Sequence, residues 1–445
     1  MKRPVIAPTP PVADTCALPW DAPTADPVAE IAAARGLLGD TFMVDSGEDR
    51  YLFTFSPVGV ASFYALPEEH ASKGVADWRM LRRKLPDDIF VGRRTLPHQL
   101  FGREDVTRFL ANVERALDDT LQEGGEQGTV DVFALTRRLG HRVGLASWGG
   151  PGAASGSRFE ALVTAFDTLD GSESFVHPDA MAAVAASGKS AEIAALATVA
   201  EHIGASLDEL PGNEADYPLF TRLVAAWANV PRDTAAAGVA GDVALIHVAS
   251  MSNLFAALGW ALVDLIDHPA AAAQVVAGDR NWAEACALES IRLAQRSIMA
   301  RYVLAPISLN VGDAVYEVAP GATVATLLPL TNTSSAPGLE VWDPTRWKGR
   351  RLADSSTLEA VELVTSFGHG RHTCPAQPFS LAAMTTSMVR ILSAWQCSPE
   401  WTDRPQPVQA QIGGVARSGS PCSVSYRRVT GPPAIGLHAG GPPAA

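Results

Sequence analysis

Residues 243 to 266 constrain this chain more than any other stretch. The run is apolar over a length that could cross a bilayer as a helix, so either lipid or the rest of the protein must cover it. His247, Ser250, Ser252, Asn253 and Asp264 interrupt it. Polar groups at that density are costly in lipid but tolerable where protein partners satisfy them. The run therefore reads as a buried helix in a large core. With 445 residues, 47% hydrophobic and 19% charged, the chain can build such a core, and wholesale disorder is excluded. The first twenty residues start basic and turn Pro-rich, with no apolar h-region. Neither a signal peptide nor a membrane span is expected, and a cytoplasmic location is.

Lys+Arg 35 against Asp+Glu 48 leaves a net charge of −13, with no Lys/Arg-rich run to meet phosphates. A nucleic-acid partner is not expected. The cysteines at 16, 286, 374, 397 and 422 are scattered and form no C-x-x-C pair, which argues against a disulfide scaffold or a zinc ribbon. Pro/Gly-rich segments 1–27 and 430–445 flank residues 28–429, where no repeat and no long linker interrupts what reads as one domain. Apolar residues recur at helical spacing over 31–38, 106–123, 131–145, 190–202, 219–230, 243–266, 282–295 and 381–394. Strand-like runs cluster at 50–55 and in short hairpins within 302–330. The fold class is mainly α with a smaller β region.

The chemistry concentrates at Ser366-Phe367-Gly368-His369-Gly370-Arg371-His372-Thr373-Cys374-Pro375-Ala376-Gln377-Pro378-Phe379-Ser380. Two glycines let backbone approach a flat object closely. Cys374 precedes an apolar helix, whose N–H groups favour a thiolate and lower its pKa. A thiolate is a soft anionic ligand for iron. The same residues also read as a zinc site, H-x-x-H-x-C through His369, His372 and Cys374, short of a fourth ligand. They also read as a glycine-rich turn with a buried cysteine.

Phe367-x-x-Gly370-x-His372-x-Cys374 resembles the haem-ligand loop of the cytochrome P450 family. The resemblance implies a single P450 fold around haem b, iron protoporphyrin IX, with Cys374 as axial ligand to the metal. It implies that His372 contacts a haem propionate and that Phe367 and Gly368 lie against the cofactor. Ala376 and Ser380 stand where the family usually has Gly and Ala. Glu289-Ser290-Ile291-Arg292 matches the family's E-x-x-R, and i,i+3 spacing puts the pair on one helix face. Taken alone, that pair is also an ordinary solvated surface pair. Trp342-Asp343-Pro344-Thr345-Arg346-Trp347 resembles the segment whose arginine joins it, so Glu289, Arg292 and Arg346 are expected as a structural network. Arg301, Arg94 and His98 are the other candidates for the propionates.

Ala249-Ser250-Met251-Ser252-Asn253 falls on the family's distal Ala/Gly-Gly-x-Asp/Glu-Thr pattern. Ser252 replaces the acid and Asn253 the threonine, so neither supplies a carboxyl proton. Asn253 through Trp260 is similar to the helix of the prostacyclin synthase and bile-acid sterol hydroxylase branch. Two turns separate these residues, so they share a face. Ser252 and Asn253 are the candidate catalytic residues, though Asn253 also reads as an amide bonding backbone or water. Ala249, Ile298 and Met299 are the candidate substrate pocket, under a covering loop at 71–91. The resemblance implies a monooxygenase acting with dioxygen on an apolar small molecule of secondary metabolism. Electrons come from a separate ferredoxin and ferredoxin reductase. An isomerase, dehydratase or peroxygenase needing no electron donor is the alternative.

Overall fold

A computed structural model describes residues 5–7, 9–90, 92, 101–102 and 105–429. Arg94, His98 and residues 430–445 lie outside the described residues. In chain order the helices are α1 (Pro27–Leu38), α2 (Pro57–Ala65), α3 (Lys73–Leu81), α4 (Val106–Gly124), α5 (Val132–Trp148), α6 (Gly156–Asp170), α7 (Pro178–Ala186), α8 (Ser190–Glu209) and α9 (Pro218–Ala226). They continue with α10 (Arg232–Asp267), α11 (Pro269–Val276), α12 (Arg280–Ala294), α13 (Leu328–Ser334) and α14 (Gln377–Ala394). The strands that shape the β side are β1 (Thr41–Ser46), β2 (Asp49–Thr54), β3 (Ala71–Ser72), β4 (Ile298–Val303) and β5 (Thr323–Leu327), which form one sheet in the order β1-β2-β5-β4-β3. Smaller sheets complete a mainly α fold with a minor β portion.

The helical core gathers α4, α5, α6, α10, α12 and α14. At its centre, every residue of α10 from Leu254 to Leu265 is buried. This is the only described helix long and apolar enough to cross a membrane, and 78% of its most apolar window is buried inside the fold. The helix is longer than the apolar run at 243–266 because Pro231 begins it upstream. One turn, His247–Met251, is a π turn. Such wide turns are rare within α-helices and occur often at functional sites. Ser250 donates its hydroxyl to the Ile246 carbonyl, a local bond that competes with the regular ladder.

Three expectations need correction. The helix expected over 219–230 ends at Ala226, where the Trp227 N–H bonds the Val224 carbonyl at 3.0 Å and tightens the chain into turns. Residues 71–91, expected as a loop, hold β3, α3 and a short 3-10 turn. There Ser72 accepts from the Val75 N–H, and Glu68 accepts from the Lys73 and Gly74 N–H groups. These bonds satisfy donors that a helix start otherwise leaves bare. Helix α6 was missed, although Phe159, Leu162, Phe166 and Leu169 carry a helical spacing and are all buried. On the β side, the segment before α1 is docked, with Leu18 and Trp20 buried and the Leu18 N–H bonded to Ser46.

Candidate functional site

Gly368 shapes the loop before Cys374. Its φ is +81°, and a Cβ there would lie 2.7 Å from the His372 carbonyl oxygen, so any side chain would collide with the returning backbone. The Cys374 N–H closes the loop on the Phe367 carbonyl at 2.8 Å. The chain then enters α14, where the Gln377 N–H donates to the Cys374 carbonyl at 3.2 Å and the Ala376 and Gln377 N–H groups lie near enough to the sulfur to favour its thiolate. Burial pushes the Cys374 thiol above its usual value, against those N–H groups and Lys73. This corrects the expectation of a lowered pKa, because desolvating a thiolate outweighs two peptide dipoles. A cation bound at the sulfur would reverse the balance.

The zinc alternative does not survive. Among the described residues, no three His, Cys, Asp or Glu side chains could hold a metal together. His369 bonds the Val364 carbonyl at 3.1 Å and meets Tyr64 edge-on at 5.4 Å. His372 turns instead toward Glu68, with 4.0 Å from Nε2 to the carboxylate. Burial and then Arg301 lower the His372 pKa. Arg301 is 1% exposed and donates to the Ala71 carbonyl at 2.8 Å, the Phe63 carbonyl at 3.0 Å and Glu68 at 3.2 Å. Glu68 therefore places a carboxylate between the two residues expected to grip propionates. Burial alone would raise its pKa, but Ser72, the Gly74 and Lys73 N–H groups and Arg301 together bring it below its usual value. The guanidinium keeps further N–H donors beyond the three engaged.

The loop is aimed from α12. Glu289 and Arg292, both 0% exposed, form a two-pronged pair at 2.7 and 2.8 Å. Arg346 at 3.1 Å, Trp347 at 3.0 Å and the Asp343 N–H at 3.0 Å complete the shell of Glu289. Arg292 also donates to the Asn332 carbonyl. The Asn332 side chain in turn bonds the Arg292 carbonyl and both the N–H and carbonyl of Thr365. The Thr365 hydroxyl receives the Phe367 and Gly368 N–H groups. Gln295 and Ser366 add two further bonds between α12 and the loop. A buried charge network is a poor stability device but a good specifier of geometry. Here it ends on the backbone that carries Cys374.

On α10, Ala249 and Asn253 are four residues apart and both exposed, just ahead of the fully buried run. Exposure in mid-helix marks an opening in the core on that face. Asn253 Nδ2 donates to the Ala249 carbonyl at 3.3 Å, and its oxygen accepts from the Val415 N–H at 2.8 Å. Trp260, on the same face, donates to the Ala416 carbonyl at 2.7 Å. Ser252 lies 3.5 Å from Arg417, which also pairs with Asp170 at the end of α6. Ile298 and Met299 alternate across the sheet. Ile298 borders a small cavity of about 20 Å³ with Tyr51, Arg79 and Arg83, while Met299 is buried beside Leu52 and Phe63.

No family model and no curated protein matches this sequence. Among solved structures, the crystal structure of the cytochrome P450DA heme domain aligns with a TM-score of 0.69 at 17% identity, over 96% of this chain and 98% of that one. The fold is that of a cytochrome P450 haem domain. Within a P450 fold, the sequence reading missed Glu68, which carries no motif, and Arg417 and Asp170, which sit far from α10 in sequence. His141, which contacts α10 at His247, was missed for the same reason.

Proposed function

We propose that this chain is a soluble, cytoplasmic haem-thiolate enzyme of the cytochrome P450 family. Its reaction is monooxygenation, inserting one atom of dioxygen into a C–H bond of an apolar small molecule of secondary metabolism. Electrons come from a ferredoxin served by a ferredoxin reductase. Residues 28–429 form the catalytic domain, with 1–27 and 430–445 as flanking segments. The observation that carries this reading is the glycine-shaped loop that delivers the Cys374 sulfur to the start of α14 within a P450 haem-domain fold.

The donor set fits a haem. The sulfur sits at the start of α14 beside two peptide N–H groups, and the Arg301 guanidinium and the His372 imidazole converge on one carboxylate position. Haem b, when bound, supplies dioxygen activation and oxygen transfer. The chain supplies the surroundings. Cys374 would hold the iron through its sulfur, and the Ala376 and Gln377 N–H groups beside it would favour the thiolate form. Arg301 and His372 would bind the propionates, assisted by Arg94 or His98, and Phe367 and Gly368 would lie against the ring. Ala249 keeps the substrate space open. Asn253 has one amide N–H left to donate, and Ser252 holds a hydroxyl beside Arg417.

The purified chain should give a red-shifted ferrous–carbonyl band, and Cys374→Ser should abolish it; a band retained in the variant sinks the ligand assignment. One observation favours a second reading. No residue from Ala249 to Asn253 is ionisable, and the Asn253 carbonyl oxygen is taken by Val415. An enzyme that rearranges a peroxide neither gains nor loses protons overall and needs no proton-feeding acid. Turnover measured with and without ferredoxin, reductase and NAD(P)H decides between them, since full activity without reductant defeats the monooxygenase.

A further inference from the structure

The π turn of α10 is held from outside by two polar bridges, and both start on α6. At the head of the turn, Asp167 lies 2.9 Å from His141 Nε2, and His141 Nδ1 lies 2.8 Å from Nε2 of His247, the first residue of the turn. The two imidazoles are nearly parallel, 8° apart, and His247 stacks on Phe166 at 3.9 Å. Just past the foot of the turn, Asp170 pairs with Arg417, which reaches Ser252 at 3.5 Å. Arg137 adds a second partner for Asp167. Phe255, one turn further along α10, lies near both guanidiniums, at 5.7 Å from Arg137 and 5.6 Å from Arg417.

Helix α5 is cut away to let this happen. A Cβ at Gly144 would lie 2.7 Å from Met251 and 2.8 Å from His247, and one at Gly140 would lie 3.1 Å from Phe255. The π turn is thus seated on bare α5 backbone, with His141 as the one side chain of that helix bonded to it. Two imidazoles in a helical core cost more than two apolar side chains would. Such a network, once satisfied, specifies one geometry among several that apolar packing would accept.

We propose that Asp167, His141 and His247, together with Asp170 and Arg417, are positioning residues that hold the wide turn of α10 in register and couple it to the placement of α6. Ala249 lies inside the turn and Asn253 one residue past Ser252. A shift of α6 therefore changes how both face the pocket. The link to a haem pocket rests on the function proposed above; the brace itself does not.

The test is hydrogen–deuterium exchange on the full chain as purified, for His141→Phe, Arg417→Gln and the double variant. The expected result is exchange at least tenfold faster at residues 247–253 in each variant and faster still in the double variant, with the run from Leu254 to Leu265 unchanged. Arg417→Lys, which keeps the charge facing Asp170, should restore protection. In the ferrous–carbonyl complex the C–O stretch should shift while the visible band stays at its parent position. Unchanged exchange at 247–253 in all variants overturns the proposal. So does an increase spread evenly into 254–265, which would report general loosening. If His141→Phe fails to fold, Arg417→Gln and Asp170→Asn decide the matter at the other bridge. A parent lacking the red-shifted carbonyl band defeats the haem-thiolate reading, whereas the exchange result decides the brace on its own.

Discussion

At the scale of single residues, environment outweighs identity. Cys374 stands before a helix, yet desolvation keeps its proton on. Arg301 has the spacing of a propionate ligand, yet three of its donors serve two backbone carbonyls and Glu68. Glu289 shows what one removed partner costs. Arg292→Met would leave a fully buried carboxylate with Arg346, Trp347 and one peptide N–H. Breaking a buried pair typically costs about 3–5 kcal/mol. The remaining partners set the expectation at the lower end of that range, read as a drop in unfolding free energy in urea. A loss under about 1 kcal/mol would mean that the pair adds nothing beyond the neighbouring hydrogen bonds.

At the scale of elements, α10 is sutured to the loop at 413–416 along one face. Asn253 accepts from the Val415 N–H and Trp260 donates to the Ala416 carbonyl, while beyond the end of α12 the Arg296 backbone pairs with Gly413 and Gly414. Gly414 is held at φ +64°, and a Cβ there would lie 2.7 Å from the Asn253 oxygen, so glycine is what lets the loop come this close. The two-turn spacing read from the sequence is thus a structural seam as well as a candidate catalytic face. Asn253→Ala would orphan the Val415 N–H. The expected cost is about 1–2 kcal/mol, with faster amide exchange at Val415. An unchanged Val415 rate would show that the amide is free for chemistry.

At the scale of the whole molecule, buried polar ties hold elements together across the fold. Lys84, 2% exposed, reaches Glu192 on α8 at 3.1 Å and the Thr168 carbonyl on α6. Lys189 returns the tie by donating to the Arg82 and Leu85 carbonyls. Other buried groups make stability depend on pH. Burial, and then His141, keep the His247 pKa well below its usual value. The unfolded chain therefore takes up a proton below about pH 6.5 that the folded chain refuses. Asp167 is lowered overall, with His141 and Arg137 outweighing burial, and Arg138 and Arg142 hold Glu123 down to about 2. Both contribute stability above about pH 4 that is lost as pH falls through their folded values. Asp264, raised by burial, acts in the opposite sense. The thermal midpoint is expected to fall from pH 7 to pH 5. Replacing the imidazoles in a His141→Phe, His247→Leu double variant should flatten that slope. An equally steep slope in the variant would assign it to groups other than this pair, which is faced by Asp167 and Phe166 from α6 and by Arg137 from α5.

By itself the sequence determined what periodicity and local motifs encode: a mainly α chain, a central buried helix and a cysteine loop shaped by glycine. The i,i+3 spacing of Glu289 and Arg292 put that pair on one helix face, and the resemblance of the segment around Arg346 to the family's implied that it joins them, as it does at 3.1 Å. Tertiary structure decided the rest. Glu68 meets Arg301 and His372, α6 braces a π turn on α10, and Asn253 is half consumed by a distant loop. None of these contacts has a sequence signature, since each joins residues from separate elements whose approach is set by packing. Even the ionisation of Cys374 belongs to this class, because the desolvation that sets it is a property of the assembled core.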